Sequence, residues 1–191
     1  APRGCYLELP GLDPAVAAAC RAAASRLAPA AEPALAETLL HGFAPALETY
    51  HTQVALEAWE VHHSWAEQYR ERYDPVVWQR LNRVHSLTRP QLDAAPGALA
   101  GVRQVWTDYF RSYDFLVLPA SPTPAPTKAE CTAELRTRVI SVTAPGSLGG
   151  LPVLTLPVAL PNGLTTGLQV MVRESGSPVV PWALERFSAS A

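Results

Sequence analysis

Lysine is nearly missing from this chain of 191 residues: Lys128 is the single one among 15 basic residues, and the rest are arginines. A lysine-dependent proton transfer would therefore have one candidate here. No Lys/Arg stripe or basic run occurs, and the net charge is −2, so nucleic acid is not expected as a partner. The three cysteines, Cys5, Cys20 and Cys131, lie far apart with no CxxC spacing. This excludes a disulfide framework or a cysteine zinc site and points to a reduced, cytoplasmic chain. No apolar run approaches the ~20 residues of a bilayer span, so no membrane is expected. With 48% apolar and 17% charged residues, global disorder is excluded and a substantial core can form. The opening Ala1–Tyr6 lacks an initiator Met and a signal-peptide pattern and leads almost at once into a strand-like run, Cys5–Leu9. The expectation is a fragment of a longer protein.

What is present alternates strand and helix. Asp13-Pro14 combines a side-chain N-cap with proline at the first helical position, and the Ala-rich run after it should continue until Pro29. Pro33 and Pro45 bracket one short helix. Leu47, Tyr50, Val54, Ala58, Val61, Trp65 and Tyr69 recur every three or four residues, predicting one long helix with this stripe as its core face. Asp74-Pro75 starts another helix that should stop before Pro90, and a further one is expected over Ala98–Tyr113. Asp114–Leu118 has the continuous apolar run of a strand covered on both faces. Pro119–Thr127 can be neither helix nor central strand, and following a buried strand it reads as an ordered loop. Glu130–Val142 should be helical, Thr143–Pro152 a small-residue turn, and Val153–Leu160 and Gly167–Val172 strands joined by Pro161-Asn162-Gly163. Ser175–Phe187 closes the chain as a short amphipathic segment.

The chemical candidates are few. His51 and His62 stand ~16 Å apart along a helix axis, too far for one metal ion, and HExxH is absent. Packing or surface roles suit these histidines better. Ser147 lies in Pro145-Gly146-Ser147-Leu148-Gly149-Gly150, whose spacing is not the G-x-S-x-G of a nucleophile elbow. A pocket wall or a structural turn is the better reading, with a self-contained serine hydrolase using Ser147 as the remote alternative. Ser121 and Thr123 sit on a stiff loop at a strand end, where open α/β sheets place ligand contacts, or else belong to a solvated polyproline segment. Arg80 and Arg83 could clamp a carboxylate, although most arginines at such positions are merely exposed. Trp59/Trp65 and Trp106/Tyr109 follow the helical stripes and are expected in the core.

The order of Phe115–Pro119, the proline-rich Ser121–Pro126, Thr143–Pro152, Val153–Pro157, Asn162-Gly163 and Gly167-Leu168-Gln169 resembles the carboxyl-terminal half of the amidase signature hydrolases. Arg3-Gly4-Cys5-Tyr6 followed by Asp13-Pro14 and an Ala-rich helix is similar to the segment just past that family's signature. The resemblance implies an α/β fold with a mixed sheet covered by helices. It implies a single partial amidase-type domain over 1–191, mainly helical after its first strand in 1–113 and strand-rich with a final helix in 114–191. Family members hydrolyse amides, or transfer the released ammonia, through a serine nucleophile, a second serine and a lysine. Those residues lie in the family's Gly/Ser-rich signature, which does not occur in this sequence, and Lys128 matches no catalytic motif. No catalytic residue, cofactor or metal is therefore assigned to this chain. By the same resemblance Thr143, Pro145, Ser147, Gly150 and Gln169 would be substrate-binding, with Arg80 or Arg83 as a carboxylate contact. The family often has Asn where this chain has Ser147. The implied partners are a small-molecule amide, once the chain is joined to an amino-terminal half, or a homodimer copy. The alternative is a non-catalytic binding or scaffolding subunit.

Overall fold

The computed structural model describes residues 1–188. Four strands form one mixed sheet in the order β1-β2-β4-β3: β1 (Gly4–Tyr6), β2 (Phe115–Pro119), β3 (Val153–Ala159) and β4 (Thr165–Val172). β1 runs parallel to β2, while β4 is antiparallel to both β2 and β3. The period of two in a strand sends alternate side chains to opposite faces, and both faces are covered. Phe115, Val117, Leu168, Val170 and Val172 pack with α1 (Pro14–Ala24) and α7 (Val179–Ser188). Leu116, Leu118 and Met171 pack with α2 (Pro33–Phe43), α5 (Arg89–Tyr109) and α6 (Ala133–Gly149). All five β2 residues are buried, as its unbroken apolar run requires. Each such side chain contributes roughly 1.5–3 kcal/mol by leaving water.

Local signals explain most boundaries. Asp13 Oδ1 accepts from the N–H groups of Ala15 (2.8 Å) and Val16 (3.4 Å), capping α1. Asp74 does the same for α4 (Pro75–Leu81) through Val76 and Val77. α1 stops at Ala24, short of Pro29, because residues 29–31 are needed elsewhere. Tyr6 N–H donates to the Pro29 carbonyl and Ala31 N–H to the Tyr6 carbonyl, both at 2.8 Å, which demands extended backbone. The first strand is correspondingly short, three residues rather than the run to Leu9.

Three expectations need correction. α5 begins at Arg89, nine residues before Ala98, with Thr88 and Gln91 forming a capping box; Pro90 sits in its first turn, whereas the previous helix already ends at Leu81 and a 3-10 turn follows it to Ser86. Pro96 lies inside it. The region Thr143–Pro152 is not a turn: α6 runs through it to Gly149, and Gly150 ends it with a left-handed φ of 64°. Its small residues permit close packing, since a Cβ on Gly146 would lie 2.9 Å from Met171 Cε and one on Gly149 2.7 Å from Trp106 Cδ1. Lastly, α3 (Ala46–His62) buries Ala46, Thr49, Thr52 and Ala55, not the predicted stripe. Val54, Val61, Trp65 and Tyr69 are exposed.

The proline-rich segment is an ordered loop. Ala120 N–H reaches the Gly167 carbonyl and Asp13 N–H the Pro122 carbonyl, each at 2.8 Å. Because Gly167 turns its carbonyl toward β2, its partner across the other ladder, Pro157, directs its own backbone away from β4. The free edge of β3 thus carries a residue with no N–H to offer.

Candidate functional site

α6 and β4 bring five of the sequence-predicted residues to one side of the sheet. Gln169, almost fully buried, lies opposite Leu118 on β2 and Thr155 on β3. Its Nε2 donates to the Pro119 carbonyl at 2.9 Å and approaches the Val142 carbonyl at 3.5 Å. It therefore ties β4 to the end of β2, beside α6. One residue further along α6, half-buried Thr143 returns its hydroxyl to the Val139 carbonyl at 3.2 Å. Pro145 is buried, and its carbonyl accepts the indole N–H of Trp106 at 2.8 Å. Ser147 and Gly150 are exposed at the end of the helix. Arg80, on α4, is exposed, whereas Arg83, in the 3-10 turn after it, is half-buried with Nη2 3.9 Å from Glu48 Oε2 of α3.

Neither serine is set up as a nucleophile by its surroundings. Ser121 donates to the Thr123 carbonyl at 2.8 Å and accepts from the Thr123 N–H at 3.4 Å, locking the loop. Ser147 has no hydrogen-bonded base among the described residues. Lys128 is exposed in a single 3-10 turn, Lys128–Glu130. The buried thiols are poor nucleophiles too: burial raises Cys5 above the usual thiol range and pushes Cys20 up to about 11.

A cleft of about 470 Å³ opens beside the proline loop, where Asp13, Thr123, Glu134, Arg138 and Asn162 supply polar groups. None of the seven predicted substrate residues lines it. Thr123 does, and its hydroxyl is buried without a hydrogen-bond partner. Arg138 spans the cleft to donate to the Gly11 carbonyl at 3.0 Å. No pattern in the sequence signals this concavity, because its walls come from segments far apart in the chain.

His51 and His62 are half-buried, and His41, His63 and His85 are exposed. His62 Nδ1 lies 3.0 Å from Tyr73 Oη, and His85 sits edge-on to Trp59 at 4.4 Å. Burial, and then the Arg83 guanidinium, holds His51 below the ordinary imidazole range. Among the described residues no cluster of three or more His, Cys, Asp or Glu could hold a metal ion, and no helix is long and apolar enough to cross a membrane.

Comparison with known proteins resolves what this architecture is. A family model described as Amidase matches residues 5–176, nearly the whole chain. The chain belongs to the amidase family. Among solved structures, an amidase is 27% identical with a TM-score of 0.75, over 98% of this chain and 45% of its own. An inhibitor-bound chain from a vestigial protein complex, studied for the origins of an s-triazine catabolic enzyme, shares the fold at a TM-score of 0.80 and 18% identity. That alignment covers 99% of this chain and 43% of the other. A glutamyl-tRNA(Gln) amidotransferase subunit of Bacillus pumilus is 35% identical over 72 residues, which is 37% of this chain and 15% of that protein. This amidase-family chain thus spans less than half the length of these relatives, some of which are subunits of larger assemblies.

Proposed function

We propose that residues 1–191 form one partial amidase-type domain of a hydrolase acting on carbon–nitrogen bonds of amides. In this reading the chain provides sheet core and one wall of the substrate pocket, while the serine nucleophile, second serine and lysine come from outside it. The observation that carries the reading is the family match over residues 5–176 in a chain whose two candidate serines have no hydrogen-bonded base among the described residues. Ser147, Gly150 and Thr143 form the accessible part of the wall, and Pro145 and Gln169 hold it from behind. Arg83, only loosely paired with Glu48, is available for a substrate carboxylate, with Arg80 next to it on α4. Cys5, Cys20 and Cys131 are all free thiols, which supports a reducing, cytoplasmic setting.

The test is ammonia release from simple amides. The chain alone should be inactive, and addition of an amidase amino-terminal half should bring activity. Turnover by the chain alone that disappears in Ser147→Ala would overturn the reading in favour of a self-contained serine hydrolase. A second reading, a binding or scaffolding subunit, draws support from the sheet being covered on both faces without a partner. It requires a cooperative melt of the isolated chain and no activity with any companion half.

A further inference from the structure

The last turn of α6 is weakly specified by its own sequence. Pro145 lies inside the helix and lacks the N–H that would bond the Ser141 carbonyl, and Gly146 and Gly149 disfavour helical backbone. A turn of this composition frays when nothing holds it. Two side chains of α5 do hold it. Trp106 Nε1 donates to the Pro145 carbonyl at 2.8 Å, and Arg103 Nε donates to the Leu148 carbonyl at 3.1 Å. The donors stand three residues apart on α5 and the acceptors three apart on α6, so both bonds fall along one line of helix contact. The Leu148 carbonyl is among the last four of the helix, which no N–H further along an α-helix serves. A guanidinium suits that place, because its charge also complements the negative end of the helix dipole. Trp106 is 2% exposed, and a Cβ on Gly149 would lie 2.7 Å from its Cδ1. The glycine that weakens the helix is thus what lets the indole reach it. Phe43, with its ring centroid 4.8 Å away, and Phe110, at 5.7 Å, fix the indole in turn.

We propose that Arg103 and Trp106 are positioning residues of the substrate pocket, a two-donor clamp that sets where the last turn of α6 presents Ser147 and Gly150. The inference rests on the proposed function and assigns the placing of that wall to α5. Neither clamp residue needs to touch substrate. Pro145 and Leu148, which the clamp grips, are buried, whereas Ser147 and Gly150 are exposed, so the gripped face of the turn and its presenting face are separate. Because the turn is short, releasing either carbonyl moves both exposed residues together. Contacts made by such a wall hold substrate and transition state alike, so their loss raises KM and spares kcat.

The experiment has two arms, hydrogen exchange in the chain alone and amide hydrolysis by the chain assembled with an amidase amino-terminal half. Arg103→Met, Arg103→Lys and Trp106→Phe are compared with Arg89→Met, an exposed arginine at the other end of α5. In the first arm Arg103→Met and Trp106→Phe should exchange the amides of Gly149, Gly150 and Leu151 roughly tenfold faster, with the first turns of α6 unchanged. Arg103→Lys keeps the charge and one donor and should recover most of the protection, and Arg89→Met should match the unmodified chain. Arg103 is exposed, so its variants keep the fold even where Trp106→Phe loosens the core. In the second arm Arg103→Met should raise KM about fivefold with kcat held within about twofold, and Arg103→Lys should restore KM. Unchanged exchange at Gly149–Leu151 in both Arg103→Met and Trp106→Phe would overturn the clamp. Faster exchange with KM unaltered, or a fall in kcat alone, would overturn its role in positioning the wall. If the unmodified assembly hydrolyses no amide, the proposed function fails and the positioning role with it, while the exchange arm, which needs no substrate, still decides the clamp.

Discussion

Replacing Gln169 by Leu keeps the side-chain volume and removes its two donors. The bond to the Pro119 carbonyl is well formed at 2.9 Å, whereas the 3.5 Å approach to the Val142 carbonyl sits at the limit and adds little. Both neighbours are carbonyls, so the amide nitrogen must face them; the opposite flip would set oxygen against oxygen. At 5% exposure, Gln169 leaves no easy route for water to replace it. The substitution should therefore cost about 1–3 kcal/mol, the penalty for a buried acceptor left unpaired. For a domain of this size that lowers Tm by roughly 2–4 °C per kcal/mol. Urea unfolding followed by tryptophan emission measures it directly. Gln169→Glu sharpens the test, because the carboxyl can donate only while protonated. Its folded-state pKa must rise, so its stability should be greatest below the ordinary carboxylate pKa of ~4.3 and fall as pH rises through the raised value. A Gln169→Leu variant within ~0.5 kcal/mol of the unmodified chain, together with a pH-flat Gln169→Glu, would refute the claim that this amide ties β4 to the end of β2.

Gly4→Ala should destabilise by about 1–3 kcal/mol, since the new Cβ would fall 2.5 Å from Cζ of the fully buried Phe115 ring, which has little room to yield. A thermal melt beside that of Gly97→Ala, where a Cβ meets open space, reads the difference. Cys20 predicts an alkaline limb. Its folded pKa is raised by burial from 9.0 to about 11, so its contribution is complete below pH 9 and is lost as pH rises toward 11. The urea midpoint should decline over that range, and Cys20→Ala should flatten the decline.

The chain's own sequence determined the covalent and local features of this protein. Asp13-Pro14 and Asp74-Pro75 begin helices because a carboxylate cap and a preset φ act within one turn. The unbroken apolar run of β2 specifies a strand covered on both faces, because successive side chains of a strand point to opposite sides. The order of proline loop, small-residue segment and Gly167-Leu168-Gln169 is enough to resemble the amidase family. What tertiary structure decided concerns contacts between distant segments. Gly146 and Gly149 look like part of a turn in isolation but sit in α6, where they admit Met171 and Trp106. Gln169 stands out in the sequence only through the family resemblance, and its bond to the Pro119 carbonyl exists only once β2 is brought beside β4. The apolar stripe of α3 reads as a core face by periodicity, yet periodicity records only that a face is apolar. Which face of α3 is buried depends on where α5 and α6 lie, and they take the threonine side, leaving Val54, Val61, Trp65 and Tyr69 facing outward.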